Sequence, residues 1–269
     1  MPGAYDLSRC SAIPNTAIVA RVGETIQSVE RAAAILRLLA SGSRQLGVAE
    51  LARAMGLPKG TLHGILRTLV HVGFVEQDGV TGKYRLGATL LHLGSSYLDV
   101  NELRARSLNW ADGLAGRSRE SVWIGTFHEG QVLVIHHVFR PDDSMQVLQV
   151  GAHLPAHATA LGKVLLAFDP YGEAPLPLAA CTKKTILARE ALHQELDLAR
   201  ARGWAADMEE FEEGEVSVAA PIKDGRGVAV GAIGIRGAVE RLAADGRLDM
   251  DVVSYVRDAA RAISRDLAR

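Results

Sequence analysis

The feature that most constrains this chain is a break between two short helical patterns. In VAELARAMGLPKGTLHGILRTLVH, residues 48–71, apolar residues recur at helical spacing on both sides of Gly56-Leu57-Pro58. A glycine ends a helix well because it takes a positive φ without strain. A proline suits a helix start, where its missing N–H would have no partner. The spacing predicts a helix over 48–55 and a second from Pro58 to about residue 71. Two helices joined so tightly must pack on each other. That needs a small residue at the closest approach, a turn residue free to take φ > 0, and an apolar residue on the second helix facing the first. Ala52, Gly56 and Leu62 meet these needs at the required spacing.

A helix over 28–40 precedes the pair, with Ser28 as its N-cap and Val29, Ala33, Leu36 and Ala40 on one face. GFVEQDGVTGKYRLG follows it and reads as two short strands around Asp78-Gly79 and Thr81-Gly82. Three helices and a hairpin make a winged helix-turn-helix domain, placed at 25–87.

The second helix of the pair has its apolar side at Leu62, Ile65, Leu66 and Leu69. It also holds Gly60 and Gly64, each costing roughly 1 kcal/mol relative to alanine. They are four apart, so they share the face opposite the apolar one. In a helix-turn-helix this helix enters the major groove by its N-terminal end. Glycines there allow close approach to double-stranded DNA, and Lys59, Thr61, His63 and Arg67 remain for phosphates and base edges. The expected DNA-binding residues are therefore Lys59, Gly60, Thr61, His63, Gly64 and Arg67, within a helix-turn-helix at 48–67. The competing reading is a helix packed closely on another protein domain. Charge favours DNA. Residues 26–86 hold eight Lys and Arg against four Asp and Glu, in a chain of net charge -1.

The remaining residues read as a second, larger domain. The chain has 269 residues, 48% hydrophobic and 23% charged, which is globular composition. No apolar run approaches the roughly 18 residues of a membrane span. Residues 1–24 lack the basic and apolar regions of a signal peptide and are expected to be a disordered extension. Cys10 and Cys181 suggest neither a disulfide framework nor a metal cluster, so the cytoplasm is the default compartment. Residues 88–118 read as a mainly helical linker, interrupted near Asp99 and Asn101.

Over 119–269, strands are expected at 121–127, 132–139, 145–150, 204–207, 216–222 and 228–236, with helices at 158–168, 189–203 and 251–267. Hairpins with inserted helices give an α+β domain on an antiparallel sheet.

Enzymatic motifs are missing. There is no G-x-S-x-G, G-x-G-x-x-G, Walker A or H-E-x-x-H pattern. His136 and His137 are adjacent on a strand and point to opposite faces. Pro155 lies between His153 and His157. No metal, no cofactor and no catalytic residue is expected. The acidic run DMEEFEEGE reads as a solvated loop with one member turned inward.

IQSVERAAAILRLLA, LARAMGLPKGTLHGILRTLVHVGFVEQ and GKYRLGATLLHLG resemble the DNA-binding domain of IclR-type bacterial transcription regulators. That family usually carries serine and arginine where this chain has Gly60 and Gly64. HGILRTL, YLDVNELRARSLNWAD, VLVIHHVFRPDDSMQVLQVGA and IGIRGAVERL are similar to its glycerol-operon repressor subgroup. The resemblance spans Thr25 to the C-terminus. It implies a GAF-like effector-binding domain, a linker that helps form homodimers or tetramers, and an operator that is an inverted repeat. The segment LPAHATALGKVLLA matches the family's effector-pocket border, with Ala156 where leucine is usual.

Carried over residue by residue, the effector-binding positions are His157, Thr159, Ala160, Leu161, Asp207, Ser217, Gly234 and Arg236. For Thr159 and Ser217 the alternative is local hydrogen bonding to backbone. For Arg236 it is pairing with Asp207 or Glu209 across the sheet, or reaching solvent at the strand's end. The implied function is a repressor of a catabolic operon, not an enzyme, with glycerol 3-phosphate the leading effector and glycerol the second. The alternatives are an IclR-type regulator responding to a small carboxylate or aromatic, and an architectural DNA binder without an effector.

Overall fold

The structure is a computed structural model that describes residues 26–41, 45–99, 101–169, 174 and 177–269. The extension expected over 1–24 lies outside the described residues. The chain divides into two compact units, with their boundary in the sequence between residues 100 and 101.

The N-terminal unit holds helices α1 (Gln27–Ser41), α2 (Val48–Met55) and α3 (Lys59–His71), strands β1 (Val75–Gln77) and β2 (Tyr84–Leu86), and helix α4 (Thr89–Asp99). It is a winged helix-turn-helix. Gly56 takes φ 62° and the Leu57 N–H donates to the Ala52 carbonyl at 3.1 Å, closing α2 as the break predicts. Pro58 caps α3 from outside its first turn. In the β1–β2 turn, Asp78 Oδ1 accepts from the Val80 N–H, the Thr81 N–H and Thr81 Oγ1. These bonds hold the Asp78 carboxyl below its ordinary pKa.

The core joins Ile35 and Leu39 of α1 to Leu51, Leu62, Leu66, Leu69, Val75 and Tyr84. The inward face of α1 thus differs from the expected one. Val29 is 63% exposed and Ala40 is exposed. In a helix this rich in alanine, the larger Ile35 and Leu39 decide which side is buried, because they remove more apolar area from water. Ser28 lies inside α1 and is not its cap.

The C-terminal unit starts with α5 (Glu102–Ser118), whose N-cap Asn101 accepts from the Arg104 N–H at 2.9 Å. Strands β3 (Ser121–His128), β4 (Gln131–Val138) and β5 (His153–Pro155) follow, then α6 (Ala160–Phe168) and α7 (Arg189–Arg202). Next come β6 (Ala205–Met208), β7 (Glu215–Lys223) and β8 (Ala229–Ala238). A short α8 (Val239–Leu242), a hairpin of β9 (Ala243–Ala244) and β10 (Arg247–Leu248), and α9 (Met250–Leu267) complete it. The six main strands form one antiparallel sheet in the order β5-β4-β3-β8-β7-β6. Helices α5 and α9 pack on one face, α6 and α7 on the other.

Residues 145–150, expected as a strand, form no ladder. Met145, Val147 and Leu148 are exposed, and the edge position beside β4 belongs to β5. Pro155 fits there because an edge strand tolerates a residue with no N–H.

Among the described residues no helix is long and apolar enough to cross a membrane, and no group of three His, Cys, Asp or Glu side chains is arranged to hold a metal ion.

Candidate functional site

On the N-terminal unit, α3 presents Lys59, Gly60, Thr61, His63 and Arg67 to solvent, with Gly64 half-buried. Its other side supplies Leu62, Leu66 and Leu69 to the core. A Cβ built on Gly60 or Gly64 would meet nothing within 4 Å. Neither glycine is demanded by packing inside the unit. The helix carries no acidic residue, so nothing on it opposes a phosphate backbone.

On the C-terminal unit, the sheet face under α6 carries a row of polar residues. Asp207 of β6 is the register partner of Ser217 on β7, and Ser217 is that of Arg236 on β8. Trp123 of β3 stands opposite Gly234. Alternation along each strand brings these side chains to one side. They border a cavity with Leu154, Thr159, Ala160, Leu161 and Phe211. Seven of the eight expected effector residues line it. His157 does not. Its buried ring faces the Ala179 carbonyl, with Nε2 2.9 Å from the oxygen, and fixes the loop beside the cavity.

Asp207 is buried and well supplied with donors. Oδ1 accepts from the N–H groups of Glu210 and Phe211 at 2.7 and 3.2 Å, and Oδ2 accepts from Ser217 Oγ at 3.2 Å. Burial still raises its pKa, against the pull of those N–H groups, Arg236 and Lys163. The Ser217 bond is to a side chain, not to backbone. Thr159 is engaged with backbone: as N-cap of α6 it accepts from the Gly162 N–H at 3.2 Å and donates to the Pro155 carbonyl at 3.0 Å. The N–H groups of Ala160 and Leu161, at the helix start, have no acceptor among the described residues. Gly162 lets this turn approach the β5 end, since a Cβ there would stand 2.3 Å from Ala156 backbone.

Arg236 pairs with neither Asp207 nor Glu209. Its Nη2 meets Glu212 and its Nε lies 3.5 Å from Glu215 Oε2. The guanidinium also lies 5.3 Å from the Trp123 ring centre and 5.0 Å from that of Phe211. Glu209 pairs with the exposed Lys184 instead. The acidic run is thus less solvated than expected, because Asp207 and Glu210 both turn inward. Glu210 Oε1 receives Lys163 Nζ at 2.5 Å in a buried ion pair, and burial raises the Glu210 pKa.

Sequence reasoning missed Trp123, Leu154 and Phe211 as walls. Phe211 had a signal, as the one aromatic in an acidic run. Trp123 needed the β3–β8 register, which no local pattern encodes.

The family description "IclR helix-turn-helix domain" matches residues 28–79, and "Bacterial transcriptional regulator IclR C-terminal" matches 95–265. The chain is 57% identical over 249 residues to the glycerol operon regulatory protein of Streptomyces coelicolor, covering 91% of this chain and 98% of that one. It is 55% identical to the protein of the same name from Streptomyces griseus, at the same coverage. The crystal structure of an IclR transcriptional regulator from Alicyclobacillus acidocaldarius superposes with TM-score 0.77 at 25% identity, over 90% of this chain and 99% of that one. With a winged helix-turn-helix and family matches over both units, the chain belongs to the IclR family and is a DNA-binding transcription regulator.

Proposed function

We propose that this regulator is a homodimeric, cytoplasmic repressor of a glycerol-catabolic operon, controlled by a small polyol bound in the cavity over β6–β8. The two Streptomyces relatives, glycerol operon regulatory proteins, supply the pathway. The observation that carries the ligand class is the charge around Arg236. Two carboxylates already hold the guanidinium, and Asp207, one strand beyond Ser217, lines the same cavity and feels its charge. A dianionic phosphate entering here meets a surplus of negative charge. Hydroxyl groups suit the site better: they donate to Asp207 and to Ser217 Oγ, whose own proton is on Asp207, and accept from the N–H groups of Ala160 and Leu161. Glycerol therefore stands ahead of glycerol 3-phosphate.

The cavity offers about 20 Å³ to the centre of a water molecule, the room of one or two waters. A triol makes a wall yield. That requirement is the coupling: the ligand favours one arrangement of the domain, and through a dimeric linker over 88–118 that arrangement sets the spacing of two α3 helices on an inverted-repeat operator.

Glycerol 3-phosphate remains the second reading because the Glu212 side chain is 40% exposed and can release Arg236. Calorimetry separates the two. Glycerol is expected to bind the full chain more tightly than glycerol 3-phosphate. Tighter binding of the phosphate, lost in Arg236→Ala, overturns the neutral-ligand reading.

A further inference from the structure

A second cavity shares Arg236 and Trp123 with the first as walls. Its other walls include Ser121, His137, Gln149 and Glu215. It gives about 40 Å³ to the centre of a water molecule, twice the room of the first cavity. The ring nitrogens Trp123 Nε1 and His137 Nε2 are buried and have no hydrogen-bond partner among the described residues. Both residues are more than nine-tenths buried. Buried polar groups are nearly always paired, so two unmet ones on the wall of one pouch call for an explanation.

Both nitrogens are donors. An indole N–H only donates. In His137 the Gln149 N–H donates to Nδ1 at 3.2 Å, which assigns the proton of the neutral ring to Nε2. Burial holds this histidine's pKa down at about 4, so the ring is neutral near pH 7. The two rings pack edge to face, with centroids 5.4 Å apart. Two residues that wall the pouch thus carry uncharged, unmet N–H groups, which a ligand reaches as the wall yields. Among its described walls the one cation, Arg236, is engaged by Glu212 and Glu215, and Glu215 is itself a wall. An anion is repelled there, whereas an uncharged oxygen is not.

We infer that this pouch is a second compartment of the effector site, in which Trp123 and His137 donate to a hydroxyl or carbonyl oxygen of an uncharged ligand. The inference rests on the reading of the first cavity as the effector pocket. The ligand's remaining oxygens meet Asp207 and Ser217, and Arg236 lies between the two groups of contacts.

The test is calorimetry of glycerol on the full chain with three variants. His137→Phe removes the donor and is expected to weaken binding about three- to tenfold. His137→Gln restores an N–H and is expected to stay within about twofold of the parent. Ser217→Ala reports on the first cavity alone. In ¹⁵N-edited spectra of the unsubstituted chain, the indole N–H of Trp123, assigned by its loss in Trp123→Phe, is expected to move downfield on saturation with glycerol. The spectra decide the matter even where a variant fails to fold. An unmoved indole resonance, or parental affinity in His137→Phe beside a loss in Ser217→Ala, overturns the second compartment and leaves the first. Parental affinity in both variants, or no glycerol binding to the parent, overturns both.

Discussion

Ser217 Oγ donates to Asp207 Oδ2 across 3.2 Å, from paired positions on β7 and β6. This bond holds the buried carboxylate toward the cavity, with its other oxygen fixed by two backbone N–H groups. Ser217→Ala removes one neutral donor. It is expected to lower unfolding free energy by about 1 kcal/mol and to weaken effector binding several-fold, while operator affinity without effector stays at the parental value. Thermal melts, calorimetry and operator binding give the three readings. A loss of stability with parental effector affinity would make Ser217 a structural residue only.

The α3 surface makes two separable demands on DNA. Lys59→Ala is expected to weaken binding to all sequences and reduce the salt slope by about one, the contribution of one phosphate contact. Gly64→Arg places a long side chain where a Cβ meets nothing within 4 Å. It is expected to keep the melting temperature within a few degrees and to abolish operator binding or change the preferred sequence. Parental binding by both variants would show that α3 does not enter the groove.

Among the described residues Lys163 of α6 is the largest fully buried side chain, and it balances Glu210. Lys163→Met keeps the volume and removes the charge. With Glu210 left buried and unpaired, the loss is expected to reach about 3–5 kcal/mol. Lys163→Met combined with Glu210→Gln is expected to recover part of it. Chemical denaturation of the three variants tests this, and a single variant as stable as the parent would show that the pair is not coupled.

His137 gives the C-terminal unit an acid sensitivity. Burial lowers its pKa from 6.5 to about 4. Between those values the unfolded chain binds the extra proton and the folded chain does not. Its contribution is therefore intact above pH 6.5 and is lost as pH falls toward 4. His137→Gln is expected to flatten the stability profile over that window relative to the parent. Parallel profiles would show that the ring titrates normally in the fold.

Local chemistry made much of this readable in advance. Gly56, Pro58 and the Leu62, Leu66, Leu69 series announce α2 and α3 because capping and helical period act within a few residues. The polar row Asp207, Ser217, Arg236 was reached through resemblance, and its meaning changed once neighbours were known. Arg236 looked available for a phosphate, yet Glu212 and Glu215 occupy it. Which acid reaches an arginine depends on the turn over 209–214, where Glu209 takes φ 62°, and no periodicity reports that. The edge strand β5 was hidden because three residues ending in proline carry too little pattern. Residues 145–150 misled because alternation without a partner strand is not a strand.

The central claim is that a ligand in the C-terminal unit controls the grip of α3 on DNA. Fluorescence anisotropy of the full chain on its operator, with and without saturating glycerol, tests it most directly. Operator affinity is expected to be at least tenfold weaker with glycerol, with no such change in Asp207→Asn. One affinity for the parent chain in both conditions would contradict it.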